Sequence, residues 1–392
     1  LELETMKRIV IVGGGIMGSC IAYHLALAGA AADVVVIEPD PTYEFAATPR
    51  AVGGVRLQHA LFENVEMSLY GDSIYSDFAN QVTGGTVQYD PQFYRMGYLY
   101  LVRGAAEVAT LMSIADMLES KGVRVHRLDR SQLRCRYPSF HFNEADAGTL
   151  TPDDGQIDPN AALMGFRRGA EGRGIRYLKD RVVGLDVAGG LVTRARLASG
   201  ESVAVDTLVN VANCWAADIC DMVGVALPVE PRQRQQFFFD TQVQLEPIPA
   251  MRHAAGHAMR RLRKGYITGY TPVGQSSAFN WELDYSAFDA VLWPRLAGQS
   301  SAFDAIKMKG GWVGHYDMNL LDGNPVIARL PTLPNFIVAA GFSGHGLQHG
   351  PAVGRAVKEM ILDGGFRSID LSRFNYRRIL DNAPLPDGGP AA

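Results

Sequence analysis

The feature that most constrains this chain lies near its start. The apolar, largely β-branched run RIVIV at 8–12 leads straight into Gly13-Gly14-Gly15-Ile16-Met17-Gly18. Apolar positions then recur at helical spacing through Cys20, Ile21, Leu25 and Ala28, with Gly29 as a stop, and 34–37 reads as a second strand. A continuous apolar run suits a strand covered on both faces. Strand, turn, helix and strand within about 30 residues therefore predict a right-handed βαβ unit of a parallel sheet. Gly13, Gly15 and Gly18 fit GxGxxG in the context that gives this pattern meaning. Gly13 permits the tight turn, Gly15 lets a pyrophosphate approach the backbone, and Gly18 lets helix and strand pack closely. The helix start at Ile16 and Met17 favours the anion. Glu38, at the end of the next strand, completes the pattern as an acceptor for ribose hydroxyls.

NAD and FAD share this fingerprint, and the far end of the chain separates them. Residues 335–346 read NFIVAAGFSGHG, a second buried strand and glycine turn leading into a helix predicted from about Pro351 to Leu362. A single NAD domain needs no such piece. Reduced flavin gathers negative charge near N1 and its C2 carbonyl, which backbone donors at a helix start can stabilise. Gly344, Gly346 and Leu347 are placed to donate.

Between these ends, spacing predicts helices at 62–78, 105–120 and 161–171, sheet at 88–101, and strands at 175–178, 182–187, 192–197 and 207–211. Residues 228–239, 265–271 and 311–316 have strand character, with a helix-like 285–296 between them. At 392 residues the chain exceeds an average domain. The expectation is a dinucleotide-binding domain from 1–75, 150–222 and 317–376 and a substrate domain from 76–149 and 223–316. The Pro-, Gly-, Asp- and Ala-rich 377–392 reads as a loose tail.

A formal charge of -4 with scattered Lys and Arg leaves no basic field for nucleic acid or an anionic membrane, so small molecules are the expected partners. Cys20, Cys135, Cys214 and Cys220 form no CxxC pair, and no His cluster has zinc-ligand spacing, so neither disulfide nor metal is expected. Cys20 falls beside Ile16 as a small buried hydrophobe. Reduced thiols, no apolar stretch of roughly 18 residues and no basic-then-apolar leader predict a cytoplasmic protein without a transmembrane segment.

Together these motifs resemble the D-amino-acid oxidase and sarcosine oxidase superfamily of flavoproteins along nearly the full chain. The resemblance rests on GGGIMG at 13–18, DGQIDP at 154–159, VNVANCWA at 209–216 and, above all, GFSGHG at 341–346. GGVRLQ at 53–58 and GWVGHYDMNLLDGNPVI at 311–327 are most similar to the branch holding the mitochondrial complex I assembly flavoprotein and proline dehydrogenase β-type subunits. The resemblance implies an α/β plus α+β fold. In it, a Rossmann-like FAD-binding domain is interleaved with a mainly antiparallel β-sheet substrate domain. It also implies residue roles: Glu38 on the adenosine ribose, Ala47 and Thr48 by the phosphates, Gly53 and Gly54 in the loop facing the cofactor, and Val182 at adenine through its backbone. Ala212, Asn213 and Trp215 would form a turn at the cofactor, and Gly341, Gly344, His345, Gly346, Leu347 and Gln348 would approach the flavin.

Departures from the family pattern carry information. Where many relatives have Ala-Gly-Ala before the Trp, this chain has Ala212-Asn213-Cys214, so a local difference in the turn is expected. No cysteine lies near Gly314, where monomeric sarcosine oxidases attach FAD, so the cofactor is expected to be non-covalent FAD. Gln348 stands where the same enzymes place a carboxylate-binding lysine. A substrate carboxylate then needs another cation, and Arg56, Arg260, His59 and His257 are candidates by location. His345, a large polar residue between two glycines, is a further catalytic candidate, and Tyr316 and Gln348 are site-wall candidates. The resemblance implies oxidation of the CH–NH bond of an amino acid or N-substituted amino acid to an imine, with oxygen or a quinone or protein as electron acceptor. Two alternatives stand beside it: a 2-hydroxy acid or polyol phosphate dehydrogenase, and a flavoprotein acting mainly as an assembly or interaction factor.

Overall fold

A computed structural model describes residues 8–272, 274 and 277–385; positions 1–7 of the first expected segment and 386–392 of the expected tail lie outside the described residues. The opening apolar run forms the strand Ile9–Val12 inside a six-stranded sheet. It pairs in parallel with Thr207–Asn210 and Val34–Ile37. Arg176–Leu178 extends one side, and Leu333–Ala340 with the antiparallel Val326–Leu330 extends the other. The alternation of the strand explains why the run is apolar throughout. Ile9 and Ile11 face a core shared with the helices Ile16–Leu27, Pro159–Glu171 and Gly346–Leu362. Val10 and Val12 face a second core beneath the meander Val182–Ala188, Leu191–Leu197 and Ser202–Ala204. The helices Ile16–Leu27 and Gly346–Leu362 touch backbone to side chain, because a Cβ at Gly354 would stand 2.7 Å from the Cys20 carbonyl. Cys20 is fully buried at this crossing.

The closing helix starts at Gly346, well ahead of the expected Pro351, so the proline lies inside it. Pro351 has no N–H to offer the carbonyl of Leu347. The Tyr75 hydroxyl donates to that carbonyl instead, at 2.7 Å. Two other expectations change. Val87–Tyr89 is a 3-10 turn, not sheet, and strand begins at Tyr94–Arg95 and Tyr98–Val102, after Asp90 and Pro91 break the chain. The tail is not loose at its start: Arg377–Leu380 is a helical turn in which Arg378, 5% exposed, pairs with Asp322 and donates to the carbonyls of Asn324 and Pro325.

The second sheet has eight strands in the order Ile306–Asn319, Val229–Thr241, Gly265–Tyr270, His257–Leu262, Ala250–Arg252, Tyr98–Val102, Ala147–Thr151 and His126–Asp129. Every pairing is antiparallel except that of Ala250–Arg252 with Tyr98–Val102. Period-two alternation divides its faces. Leu99, Phe237, Phe239, Met251 and Met259 pack with Phe288, Leu292 and Leu296 of the helical layer. The opposite face carries polar residues brought side by side by register: Tyr100 opposite Arg252, Arg252 opposite Ala258, and Arg260 two residues further along.

Candidate active site

The glycine turn after Val12 is built as its spacing requires. Gly13 has φ +107 and donates to the Ile37 carbonyl at 2.9 Å; a Cβ there would stand 2.6 Å from the Val211 oxygen. A Cβ at Gly18 would stand 1.9 Å from the Gly13 oxygen. Gly15 differs, since a Cβ would meet only the Thr48 hydroxyl at 3.8 Å. Packing within the chain leaves that glycine unexplained, whereas a pyrophosphate against the helix start explains it. Glu38 takes the Gly14 amide at 2.8 Å and the Asp40 amide at 2.9 Å, and burial raises its pKa. Thr48 accepts from the Ile16 amide at 3.4 Å, and Ala47 beside it reaches the central cavity. Val182 is buried at the start of the meander that covers this half.

The second glycine turn is held by Asp317, whose carboxylate accepts from the amides of Gly341 at 2.8 Å and Phe342 at 3.1 Å. Burial pushes its pKa up to about 6. Asn213 hydrogen-bonds the same carboxylate and has φ +53, the left-handed conformation that glycine supplies elsewhere and that asparagine tolerates best among other residues. The expected local difference is thus one of residue, with the turn kept. Trp215 is half-exposed and stacks on Phe279 at 4.9 Å. Gly344 has φ +97, and a Cβ there would run into the Tyr316 ring at 2.5 Å. At Gly346 the nearest atom to a Cβ would be 3.6 Å away, so here too the protein alone does not demand glycine. The Asn213 side-chain oxygen is buried without a partner among the described residues. Two glycines with room in front of them, each at a helix start, and an orphaned polar atom beside the second fit FAD.

Between the two turns runs the loop 53–59, anchored from behind. Gln58, 3% exposed, donates to the carbonyls of Tyr98 and Thr149, both at 3.2 Å, and to the Thr151 hydroxyl at 3.1 Å. Asp154 of the DGQIDP segment accepts from the Leu57 amide at 3.2 Å, and burial lifts its pKa to about 7. Gly53 and Gly54 pack against Ile157 and against Tyr98 and Arg260. The loop thereby presents Arg56 to a cavity of about 300 Å³. The Arg56 guanidinium makes no hydrogen bond or ion pair among the described residues.

The catalytic candidates separate into three places. Arg56 and Tyr316 line the cavity, as does Arg260, which donates to the Tyr98 hydroxyl at 2.8 Å and to the Val52 carbonyl. His59, His345 and Gln348 gather in a knot behind it. Ring centroids of His59 and His345 are 5.1 Å apart, and Gln348 contacts His59 at 2.7 Å while accepting from the Arg56 amide at 3.2 Å. Gln348, 1% exposed, thus holds the Arg56 loop to the closing helix and does not reach for a substrate. Burial, followed by the Arg56 charge, holds His345 neutral; burial, His349 and Arg56 do the same for His59. His257 stands apart. Strand alternation turns its ring to the far face of the sheet, stacked on His253 at 4.5 Å and in contact with Gln299 at 2.6 Å.

Sequence reasoning missed four residues here. His349 and Ser68 complete the knot, with Ser68 bridging His59 at 3.0 Å and His349 at 3.1 Å. Arg234 and Arg252 add to the cavity wall, Arg234 lying over the Tyr316 ring at 4.7 Å. The available signal was period two: in MRHAAGHAMRR and RQRQQFFF, arginines alternate with residues that enter the apolar core.

Comparison with known proteins agrees with this geometry. The family described as DAO: FAD dependent oxidoreductase matches residues 8–360. FAD-dependent oxidoreductase domain-containing protein 1 of Xenopus laevis is 34% identical over 96% of this chain and 83% of its own. The 4-methylaminobutanoate oxidase (formaldehyde-forming) of Paenarthrobacter nicotinovorans is 25% identical over 95% of this chain and 46% of its own. Among solved structures, L-proline dehydrogenase from P. horikoshii superposes with a TM-score of 0.85 at 25% identity, covering 97% of this chain and 99% of that one.

Proposed function

The chain belongs to the DAO family of FAD-dependent oxidoreductases, and on that premise we propose that it oxidises the CH–NH bond of an amino acid or N-substituted amino acid. The observation that carries this reading is Arg56: a half-buried guanidinium with no hydrogen bond of its own, held by an anchored loop beside the flavin turn. Two similar proteins, a proline dehydrogenase and a 4-methylaminobutanoate oxidase by name, support it.

Bound FAD supplies a two-electron acceptor for the hydride leaving the carbon that bears nitrogen. The protein's own residues hold everything else. Gly13, Gly15, Gly18 and Glu38 grip the ADP half, with Ala47 and Thr48 at the phosphates. Arg56 takes the substrate carboxylate and sets the reacting carbon, and Tyr316 walls the cavity. The neutral rings of His345 and His59 place no further positive charge near the amine, so a neutral amine is not repelled. The imine product, C=N in place of CH–NH, hydrolyses in water to a carbonyl compound and an amine. Oxygen, a quinone or a protein then takes the two electrons. We assign the six-stranded sheet and its helices to FAD and the eight-stranded sheet to substrate. The four unpaired cysteines support a reducing compartment, which we take as the cytoplasm.

Anaerobic bleaching of the flavin band tests the reading against N-methyl amino acids, D- and L-amino acids and 2-hydroxy acids. Bleaching by an amino acid is expected. Bleaching by 2-hydroxy acids alone would move the protein to C–OH oxidation, and no bleaching by any would favour an assembly or interaction role. In the same preparation, acid precipitation is expected to release the flavin into the supernatant. Arg50 packs against Gly314, where covalent relatives carry cysteine, with Cβ atoms 3.3 Å apart if Gly314 had one. Yellow colour retained in the washed pellet would show a covalent bond.

A further inference from the structure

The cavity wall is far more positive than one substrate carboxylate requires. Six arginines line it, Arg50, Arg56, Arg103, Arg234, Arg252 and Arg260, against one acid among the described residues, Glu107. The chain as a whole carries -4, so this is a local concentration of charge. Arg50 is engaged elsewhere, donating to the Glu44 and Val313 carbonyls, and Arg103 is exposed at the rim. The remaining four surround the space. Arg234, Arg252 and Arg260 project from one face of the eight-stranded sheet, and Arg56 reaches in from the loop opposite. Arg56 and Arg252 both act electrostatically on His345 and Tyr100, and Arg252 acts on Arg234, so these guanidiniums share one neighbourhood.

Like charges gathered in a partly desolvated pocket repel, and the protein does little to offset them. Arg56 and Arg260 have no ion pair among the described residues, and both hydrogen-bond partners of Arg260 are neutral. Asp154, the buried acid acting on Arg56, has its carboxyl pushed up to about 7 by burial and so carries only part of a charge near neutrality. Assigning Arg56 to the substrate carboxylate and a second cation to the anionic reduced flavin still leaves a surplus on the sheet.

We propose that the substrate is dianionic: an amino acid or N-substituted amino acid with a second carboxylate, bound by Arg252 and Arg234 on the sheet while Arg56 holds the first. This rests on the proposed function for the site, and it names the substrate class. Period-two register is what sets the two anion sites on opposite walls, because the same alternation that buries Met251 and Phe237 turns Arg252 and Arg234 inward.

The test is a binding titration of the FAD-loaded protein at low salt. Malonate, succinate and glutarate are compared with acetate, propionate and butyrate, reading the shift of the flavin absorption band and, separately, the thermal midpoint. The best dicarboxylate is expected to bind at least about tenfold more tightly than any monocarboxylate, an advantage that shrinks as salt is added. Arg252→Gln and Arg234→Gln should each reduce the advantage to within about threefold, leaving monocarboxylate affinity within about twofold, and Arg252→Lys should restore part of it. Equal affinity of the two series in the unaltered protein overturns the proposal, as does an undiminished preference in both glutamine variants. Should either variant fail to fold, the unaltered protein and Arg252→Lys decide. Turnover is not needed for this readout. If monocarboxylic amino acids bleach the flavin and dicarboxylates bind no better, the dianion falls and amine oxidation stands. If dicarboxylates bind preferentially and no amino acid bleaches, the reverse holds.

Discussion

Replacing Gly18 with alanine is expected to yield protein with almost no flavin and a lowered thermal midpoint. A Cβ at this position would stand 1.9 Å from the carbonyl oxygen of Gly13, a backbone atom that cannot rotate away. Relief requires the helix Ile16–Leu27 to lift off Ile9–Val12, which lie in the same core. The cost should reach or exceed the roughly 1–3 kcal/mol usual for overpacking, on top of the lost cofactor. Gly15→Ala provides the contrast. Its Cβ would meet only the Thr48 hydroxyl at 3.8 Å, so the flavin-free protein should keep its stability while flavin affinity drops. Flavin content per mole of protein and melting of the flavin-free form separate the two effects. A Gly15→Ala protein that purifies fully loaded would remove the pyrophosphate from this turn.

Much of the nucleotide half was legible because its signals are local. An apolar run, a glycine turn and a helical stripe each occupy consecutive residues, and Ile9–Val12, Ile16–Leu27 and Val34–Ile37 fall where periodicity places them. The start of the closing helix was hidden by Pro351, whose missing donor is replaced by Tyr75 from a distant helix. Short strands such as Ala250–Arg252 and His126–Asp129 offer too few residues for period two to stand out. The site divides the same way. Arg56 lies within a motif and Tyr316 within a long strand. Arg252 and Arg234 become neighbours only through register across the eight-stranded sheet. His257 sits in a strand whose facing direction the sequence leaves open until Met259 is known to be in the core. Gln348 was placed correctly on the helix, yet its role follows from partners far away in sequence: His59, Ser68 and the Arg56 amide.

Arg56 carries the proposed chemistry, so its removal should produce the largest loss of activity. With whichever amino acid bleaches the flavin fastest, Arg56→Gln is expected to lower kcat/KM by about 30-fold to a few thousand-fold, the equivalent of roughly 2–5 kcal/mol for one partner of a buried, hydrogen-bonded charge pair. The fold should not suffer. The Arg56 side chain makes no hydrogen bond among the described residues, and the contact that fixes the loop is its backbone amide, which glutamine keeps. Thermal stability of the loaded protein should therefore change by no more than about 0.5 kcal/mol, as for substitutions away from structural contacts. The split between kinetic constants is informative. If Arg56 only adds affinity, KM rises while the anaerobic rate of flavin reduction at saturating substrate is unchanged. If it also sets the reacting carbon against the flavin, that rate falls as well, because misplacement by an ångström can cost about a hundredfold. We expect both, since Gln348 ties the Arg56 backbone to the helix that begins at the flavin turn. Arg56→Lys should recover affinity before it recovers rate, because an ammonium supplies the charge without the two-pronged geometry. A glutamine variant whose kcat/KM stays within a few-fold of the unaltered protein would take the substrate carboxylate away from Arg56 and leave the sheet arginines as its only holders among those facing the cavity.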